Sequence, residues 1–174
     1  MTQGALALAG GVLYAGRSRK RPEVRSYDLD GHPLPTRFEF GPHGECDSAS
    51  LAGIAVDADR KLWIADPASG FVRSFSVFGA EGASLGSQAS ASDEFGALGR
   101  PVDVAATGED LEARLLVASS GARRHALQRF DAEGRCELSL RPLGDPEGLF
   151  GGIAGVASLG RYLYVCEETA ERVQ

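Results

Sequence analysis

Gly53-Ile54-Ala55-Val56, then Asp57-Ala58-Asp59-Arg60-Lys61, then Leu62-Trp63-Ile64-Ala65: two short apolar runs flank a polar turn. Runs this short, bounded by turn-forming residues, predict a pair of strands rather than a helix. The second run has no polar alternation, which fits a strand covered on both faces. Asp66-Pro67-Ala68-Ser69-Gly70 supplies a turn, and Phe71-Val72-Arg73-Ser74-Phe75 alternates apolar with polar, as a more exposed third strand would. Ala83 to Ser92 is small and polar, so a long surface loop is expected there instead of a good fourth strand.

The pattern is written four times. Its first strands centre on Ala5-Leu6-Ala7, Gly53-Ile54-Ala55, Asp103-Val104-Ala105 and Gly155-Val156-Ala157. They are answered by Leu13-Tyr14-Ala15-Gly16, Leu62-Trp63-Ile64-Ala65, Leu115-Leu116-Val117-Ala118 and Leu163-Tyr164-Val165-Cys166. The middle residues are spaced by 48 (6 to 54), 50 (54 to 104) and 52 (104 to 156). Third strands recur at Val24-Arg25-Ser26-Tyr27 and Leu127-Gln128-Arg129-Phe130, each followed by an Asp-rich hairpin ending in Gly31 or Gly134. Outer strands follow at 36–40 and 135–140. Helix signals are nearly absent. A period near fifty made of short strands predicts stacked four-stranded antiparallel sheets, because one such sheet cannot bury both faces alone. The units span residues 4–41, 51–86, 101–141 and an incomplete 153–174.

Gly53-Ile54-Ala55-Val56-Asp57, Leu62-Trp63-Ile64-Ala65-Asp66 and Val72-Arg73-Ser74-Phe75 together resemble the NHL repeat of β-propellers. Phe40-Gly41-Pro42-His43-Gly44 resembles the link that leads into such a repeat, and Glu171-Arg172-Val173-Gln174 the opening of its third strand. The first copy departs from the pattern with Ala5 in place of Gly. The third departs with Pro101-Val102-Asp103 and an insertion, Glu109 to Arg114. The resemblance implies an all-β propeller segment belonging to a six-bladed ring. Six blades of about 50 residues need roughly 300. The expectation adopted is therefore a segment of a longer propeller, with a homodimer as the alternative if the chain is complete. An isolated arc would leave an apolar sheet face open at each end.

Composition narrows the partners. A net charge of −6 speaks against a general nucleic-acid binder. Cys46, Cys136 and Cys166 have no CxxC spacing and leave an odd thiol in any pairing, which fits a reduced chain. The apolar stretch Ala5 to Ala15 lacks a basic residue before it and is about half the roughly 20 residues of a spanning helix, so no signal peptide or membrane partner is read and a cytoplasmic location is expected.

Candidate chemistry is sparse. Gly82-Ala83-Ser84-Leu85-Gly86 matches the G-x-S-x-G nucleophile pattern, but no helix follows it, and a loop is the expected reading. His43-x-x-Cys46-Asp47 offers soft metal ligands without a second cluster, and His32 falls on the other rim from His43 and His125; no metal and no cofactor are expected. The resemblance extends to calcium-dependent lactonase propellers, where oxygen ligands including Asn and Glu converge on the axis. This chain has no Asn, and Asp103 is the one carboxylate at the right level. Catalytic residues therefore remain unassigned. Cys166, at the place of Ala65 and Ala118, is expected to be a small buried core residue, and Tyr14, Trp63 and Tyr164 to pack between blades.

Basic residues collect in the loops after the second strands: Arg17, Arg19, Lys20 and Arg21, then Arg123, Arg124 and His125. In a propeller these loops share one rim, while Asp28, Asp30, Asp57, Asp59, Glu109, Asp110, Asp131 and Glu133 gather on the other. The function expected is a non-catalytic scaffold holding a protein or other macromolecule through its loops. RNA is a lesser option, because the loops lack aromatic residues on which bases could stack. The alternative is a lactonase-like or other hydrolytic propeller whose metal site is completed by residues outside this chain.

Overall fold

A computed structural model of the chain describes residues 4–86, 96–107, 114–120, 126–131, 133–140, 152–160, 162–168 and 171–174. Its strands are β1 (Gly4–Ala9), β2 (Val12–Arg17), β3 (Glu23–Tyr27), β4 (Pro33–Glu39), β5 (Gly53–Val56), β6 (Leu62–Asp66), β7 (Phe71–Phe75) and β8 (Glu81–Leu85). They continue as β9 (Arg100–Thr107), β10 (Arg114–Ser120), β11 (Ala126–Phe130), β12 (Cys136–Leu140), β13 (Ile153–Leu159), β14 (Tyr162–Glu167) and β15 (Arg172–Val173). No helix occurs among the described residues.

Each group of consecutive strands forms one antiparallel sheet: β1-β2-β3-β4, β5-β6-β7-β8, β9-β10-β11-β12 and β13-β14-β15. The inner strands pack in succession, β1 on β5, β5 on β9 and β9 on β13. The chain is a β-propeller of four blades. The paired apolar runs meet in the expected register, Ile54 opposite Ile64 and Ala55 opposite Trp63, with Val104 opposite Val117 in the next blade.

Side-chain alternation gives every blade two working faces. From blade 1, Tyr14, Val24 and Phe38 face forward and meet Leu51, Ile54, Leu62, Ile64 and Phe75, most of them on the back of blade 2. Ala55, Trp63, Ala65 and Val72 on the front of blade 2 meet Val104, Leu115, Val117 and Phe130 of blade 3. Leu116 and Leu127 of blade 3 meet Val156 and Val165 of blade 4. Each large side chain buried this way contributes about 1.5–3 kcal/mol, so three such seams dominate the stability of the arc. Contact across the first seam is close: a Cβ on Gly16 would lie 2.6 Å from a Leu51 methyl.

Several expectations need correction. Residues 81–85 form the edge strand β8, so the predicted loop cannot begin at Ala83, and 87–95 lie outside the described residues. Gly82-Ala83-Ser84 therefore lies on a strand, with Ser84 opposite Arg73, and makes no strand-to-helix elbow. The third strand of blade 2 is not exposed: Arg73 and Ser74 are both buried. Arg73 stacks over the rings of Phe40 and Phe75 and bonds Asp66, Glu81 and the Gly41 carbonyl, which satisfies its charge inside the sheet stack. Cys166 is exposed rather than buried, because the front of blade 4 meets no further blade among the described residues. Tyr164, on the same face, is also exposed, whereas Tyr14 and Trp63 pack between blades as expected.

Candidate functional site

β2 ends at Arg17 and β3 begins at Glu23, so the basic run projects from one rim between two strands whose backbones are paired at Arg17 and Glu23. Arg17, Arg19, Lys20 and Arg21 are all exposed, and none of them has an ion-pair partner among the described residues. Ser18 reaches the next blade, its hydroxyl accepting from the Leu51 N–H at 3.3 Å, which anchors one end of the loop. Beside the loop an open depression of 580 Å³ is lined by Gly4, Leu6, Ala15, Gly16, Arg17 and Arg19. An apolar floor thus carries guanidinium groups along one side. Arg123, Arg124 and His125 lie outside the described residues, so the second basic cluster is not placed.

Below the loop, on the same sheet, Glu23 is buried and receives Arg25 at 2.9 Å and Arg37 at 3.0 Å. The hydrogen bond from Arg25 is the main force holding the Glu23 carboxyl below its ordinary range. Arg25 and Arg37 are therefore paired, whereas Arg17, Arg19 and Arg21 have no ion-pair partner among the described residues.

The acidic rim is occupied with its own turns. Asp28 accepts the backbone N–H groups of Asp30 and His32, and its other oxygen lies 3.1 Å from His32 Nδ1. The His32 N–H is the leading cause of a lowered Asp28 pKa. Asp28, Asp30 and His32 approach one another closely enough to offer three ligand atoms, but these turn bonds explain the cluster. Asp57 accepts the Trp63 indole N–H at 2.7 Å and the Lys61 N–H at 2.8 Å. Asp131 likewise accepts the N–H groups of Glu133 and Arg135. His43, on the link to blade 2, contacts Glu81 at 2.9 Å and the edge of Phe71, far in role from a metal ligand set with Cys46.

Asp103 stands apart. It begins the central part of β9 and is half-buried between the inner strands of three blades. One oxygen accepts from its neighbour Val104 N–H at 2.9 Å, the other from Val156 N–H of blade 4 at 2.8 Å. A Cβ on Gly53 of blade 2 would lie 2.2 Å from the carboxylate, so Gly53 makes room for it. Burial drives its pKa up to about 6, against the pull of the two N–H donors. Sequence reasoning saw the carboxylate but not its use as a bond between blades, which depends on a strand 53 residues away.

No family model and no curated protein sequence matches the chain. Solved structures do. A Bacteroides caccae protein of unknown function matches over 95% of this chain and 56% of its own at a TM-score of 0.67 and 17% identity. Virginiamycin B lyase from Staphylococcus aureus matches over 97% and 49% at 0.62 and 14%. A chain of a nidogen/laminin complex matches over 97% and 73% at 0.59 and 14%. At these identities the likeness is one of fold. The chain spans about half the length of the first two.

Proposed function

We propose that the chain is part of an NHL-type propeller scaffold that binds an acidic, partly apolar segment of another protein on the rim bearing Arg17, Arg19, Lys20 and Arg21. One observation carries the reading: of four exposed cations without an ion-pair partner among the described residues, Arg17 and Arg19 line an apolar depression of 580 Å³, and Lys20 and Arg21 follow in the same loop. The repeat pattern supports the NHL type, through Gly53-Ile54-Ala55-Val56-Asp57 and Leu62-Trp63-Ile64-Ala65-Asp66. The fold likeness to a chain from a nidogen/laminin complex is in keeping with a binding role. Rigid blades hold variable loops in fixed places, so a rim can acquire a partner without change to the core.

The hydrolytic reading fits less well. Calcium takes six to eight oxygen ligands, and Asp103 is the one inner-strand carboxylate among the described blades, with both oxygens already accepting backbone N–H groups. The described residues therefore do not form that metal site.

The test is fluorescence anisotropy with a labelled peptide of alternating Glu and Leu, beside a labelled oligouridine. The peptide is expected to bind with an affinity that falls between 50 and 200 mM salt, and R17A/R19A/R21A to weaken it about tenfold or more, at about 0.5 kcal/mol or more per charge. Equal peptide binding by the triple variant, or stronger binding of oligouridine than of peptide, overturns the reading.

A further inference from the structure

Two neutral side chains in blade 3 stand where blade 2 keeps its buried ion pair. In β10 and β11 Ala118 lies opposite Leu127 and Ser119 opposite Ala126, as Ala65 lies opposite Val72 and Asp66 opposite Phe71 in β6 and β7. Ser119 therefore takes the place of Asp66, and Gln128, opposite Val117, takes that of Arg73, opposite Ile64. Strand alternation sets Ser119 and Gln128 on the same face as Leu115, Val117 and Phe130, which pack on Ala65 and Val72 of blade 2. Both are shorter than their counterparts in blade 2, and neither carries a charge.

The two side chains are buried without being satisfied. Ser119 is 2% and Gln128 1% exposed, yet Ser119 Oγ and Gln128 Oε1 have no hydrogen-bond partner among the described residues. Gln128 Nε2 reaches Ser139 Oγ at 3.4 Å, which is long for such a bond. Turning the amide end for end makes Nε2 the unpartnered atom instead, so the deficit belongs to the side chain in either orientation. Elsewhere in the repeat the same positions are engaged. Asp66 accepts from Ser50, Ser69 and Arg73, and Arg73 also holds Glu81 and the Gly41 carbonyl. In blade 4 Gln174, paired with Val165 at the place of Gln128, donates to Glu167, at the place of Ser119. A buried donor or acceptor left unpaired gives up its hydration with nothing in return.

We propose that the seam between blades 2 and 3 binds an ordered water molecule, which accepts from the Ser119 hydroxyl and donates to Gln128 Oε1, and so stands in for the Asp66 carboxylate of blade 2. Water is the ligand that this pair selects. It both gives and takes hydrogen bonds, as a hydroxyl and an amide of either orientation require. The apolar surroundings, with Ala65, Val72, Val117 and Phe130, offer nothing to balance an ion. A buried water needs two to four polar partners. Ser119 and Gln128 supply them as diagonal neighbours on one face. Ser26 Oγ, also buried and unpartnered among the described residues, stands opposite Tyr14 in the seam of blades 1 and 2 and cannot supply them alone. The inference is independent of the rim reading above, since no residue of the β2–β3 loop takes part.

A crystal structure of the 174-residue chain, at a resolution that shows ordered solvent, is the first test. A water within hydrogen-bond distance of both Ser119 and Gln128 is expected, and clear density for the two side chains with no water between them overturns the proposal. S119A/Q128M removes both polar partners at once. Each single change leaves the other atom short of a bond, whereas the double change removes the need for the water. The urea midpoint is therefore expected to fall less in the double variant than the two single shifts together. Oxygen-17 relaxation of the solvent, which reports long-lived internal waters, should show fewer of them in S119A/Q128M than in the native chain. Q128M alone takes away one of the two partners and is expected to lower that number as well. Midpoint shifts that add, or a number of long-lived waters that is the same in the native chain and in Q128M, overturn the proposal.

Discussion

Replacing Asp103 by Asn tests whether the carboxylate between the inner strands is held against its own preference for water. Burial raises its pKa from the ordinary 3.8 to about 6, so between these values the folded chain binds a proton that the unfolded chain does not. Stability from this group therefore rises as pH falls: nothing is gained above about 6, and the gain is complete below 3.8. The gap corresponds to about 3 kcal/mol at its ceiling, of which about 2 kcal/mol is reached at pH 4.5. Other carboxylates act in the opposite sense. Glu81, lowered chiefly by the hydrogen bond from Arg73, and Glu23, lowered by that from Arg25, lose stability on acidification. Their effects cancel in a comparison of two proteins that share them. Urea unfolding of the native chain and D103N at pH 7 and pH 4.5 gives four free energies. The native-minus-variant difference is expected to shift toward the native protein by about 2 kcal/mol on acidification. A difference that stays constant within about 0.5 kcal/mol, or moves the other way, refutes the idea that desolvation governs this carboxyl.

Arg73→Met keeps the apolar stem between Phe40 and Phe75 but leaves Asp66 buried without its cation; a loss of about 3–5 kcal/mol in urea unfolding is expected, and a loss below about 1 kcal/mol would show that Ser50, Ala68 and Ser69 suffice to hold the charge. Gly53→Ala places a methyl 2.2 Å from the Asp103 carboxylate and 2.7 Å from its Cα; a cost of about 1–3 kcal/mol is expected, and the double variant with Asp103→Ala should recover part of it. Additive losses in that pair would mean the two residues do not meet. Trp63→Phe removes the 2.7 Å bond to Asp57 at the turn of blade 2 and should cost about 1–3 kcal/mol, read as a lower urea midpoint with an unchanged slope.

The blades were legible because their signal is local and repeated. Ile54 opposite Ile64 follows from two short runs and the turn between them, and fourfold repetition removes the ambiguity that one copy would leave. The errors arise where a residue's surroundings come from another blade. Arg73 looks like the polar half of an exposed strand, and only the link from blade 1, bringing Phe40 and the Gly41 carbonyl, makes it a core residue. Cys166 looks like a core residue because Ala65 and Ala118 are, yet its burial depends on a neighbouring sheet rather than on its own strand. The basic loop was visible as composition, but the apolar depression beside it depends on how β1 and β2 pair, with Leu6 opposite Ala15.

The rim of blade 1 differs from those of blades 2 and 4 in how the second strand ends. The last residue of the second strand is Asp66 in blade 2 and Glu167 in blade 4, and both are buried. Asp66 gathers Ser50, Ala68, Ser69 and Arg73, while Glu167 receives Arg172. These acids tie the turns of blades 2 and 4 to their sheets, whereas blade 3 ends its second strand with Ser119 and Ser120. Blade 1 has Arg17 there, exposed and followed by three more cations. A solvated cation at this place lacks the local bonding that the acids of blades 2 and 4 make. On the reading proposed above, a negative group arriving from outside the chain would take the place of that bonding.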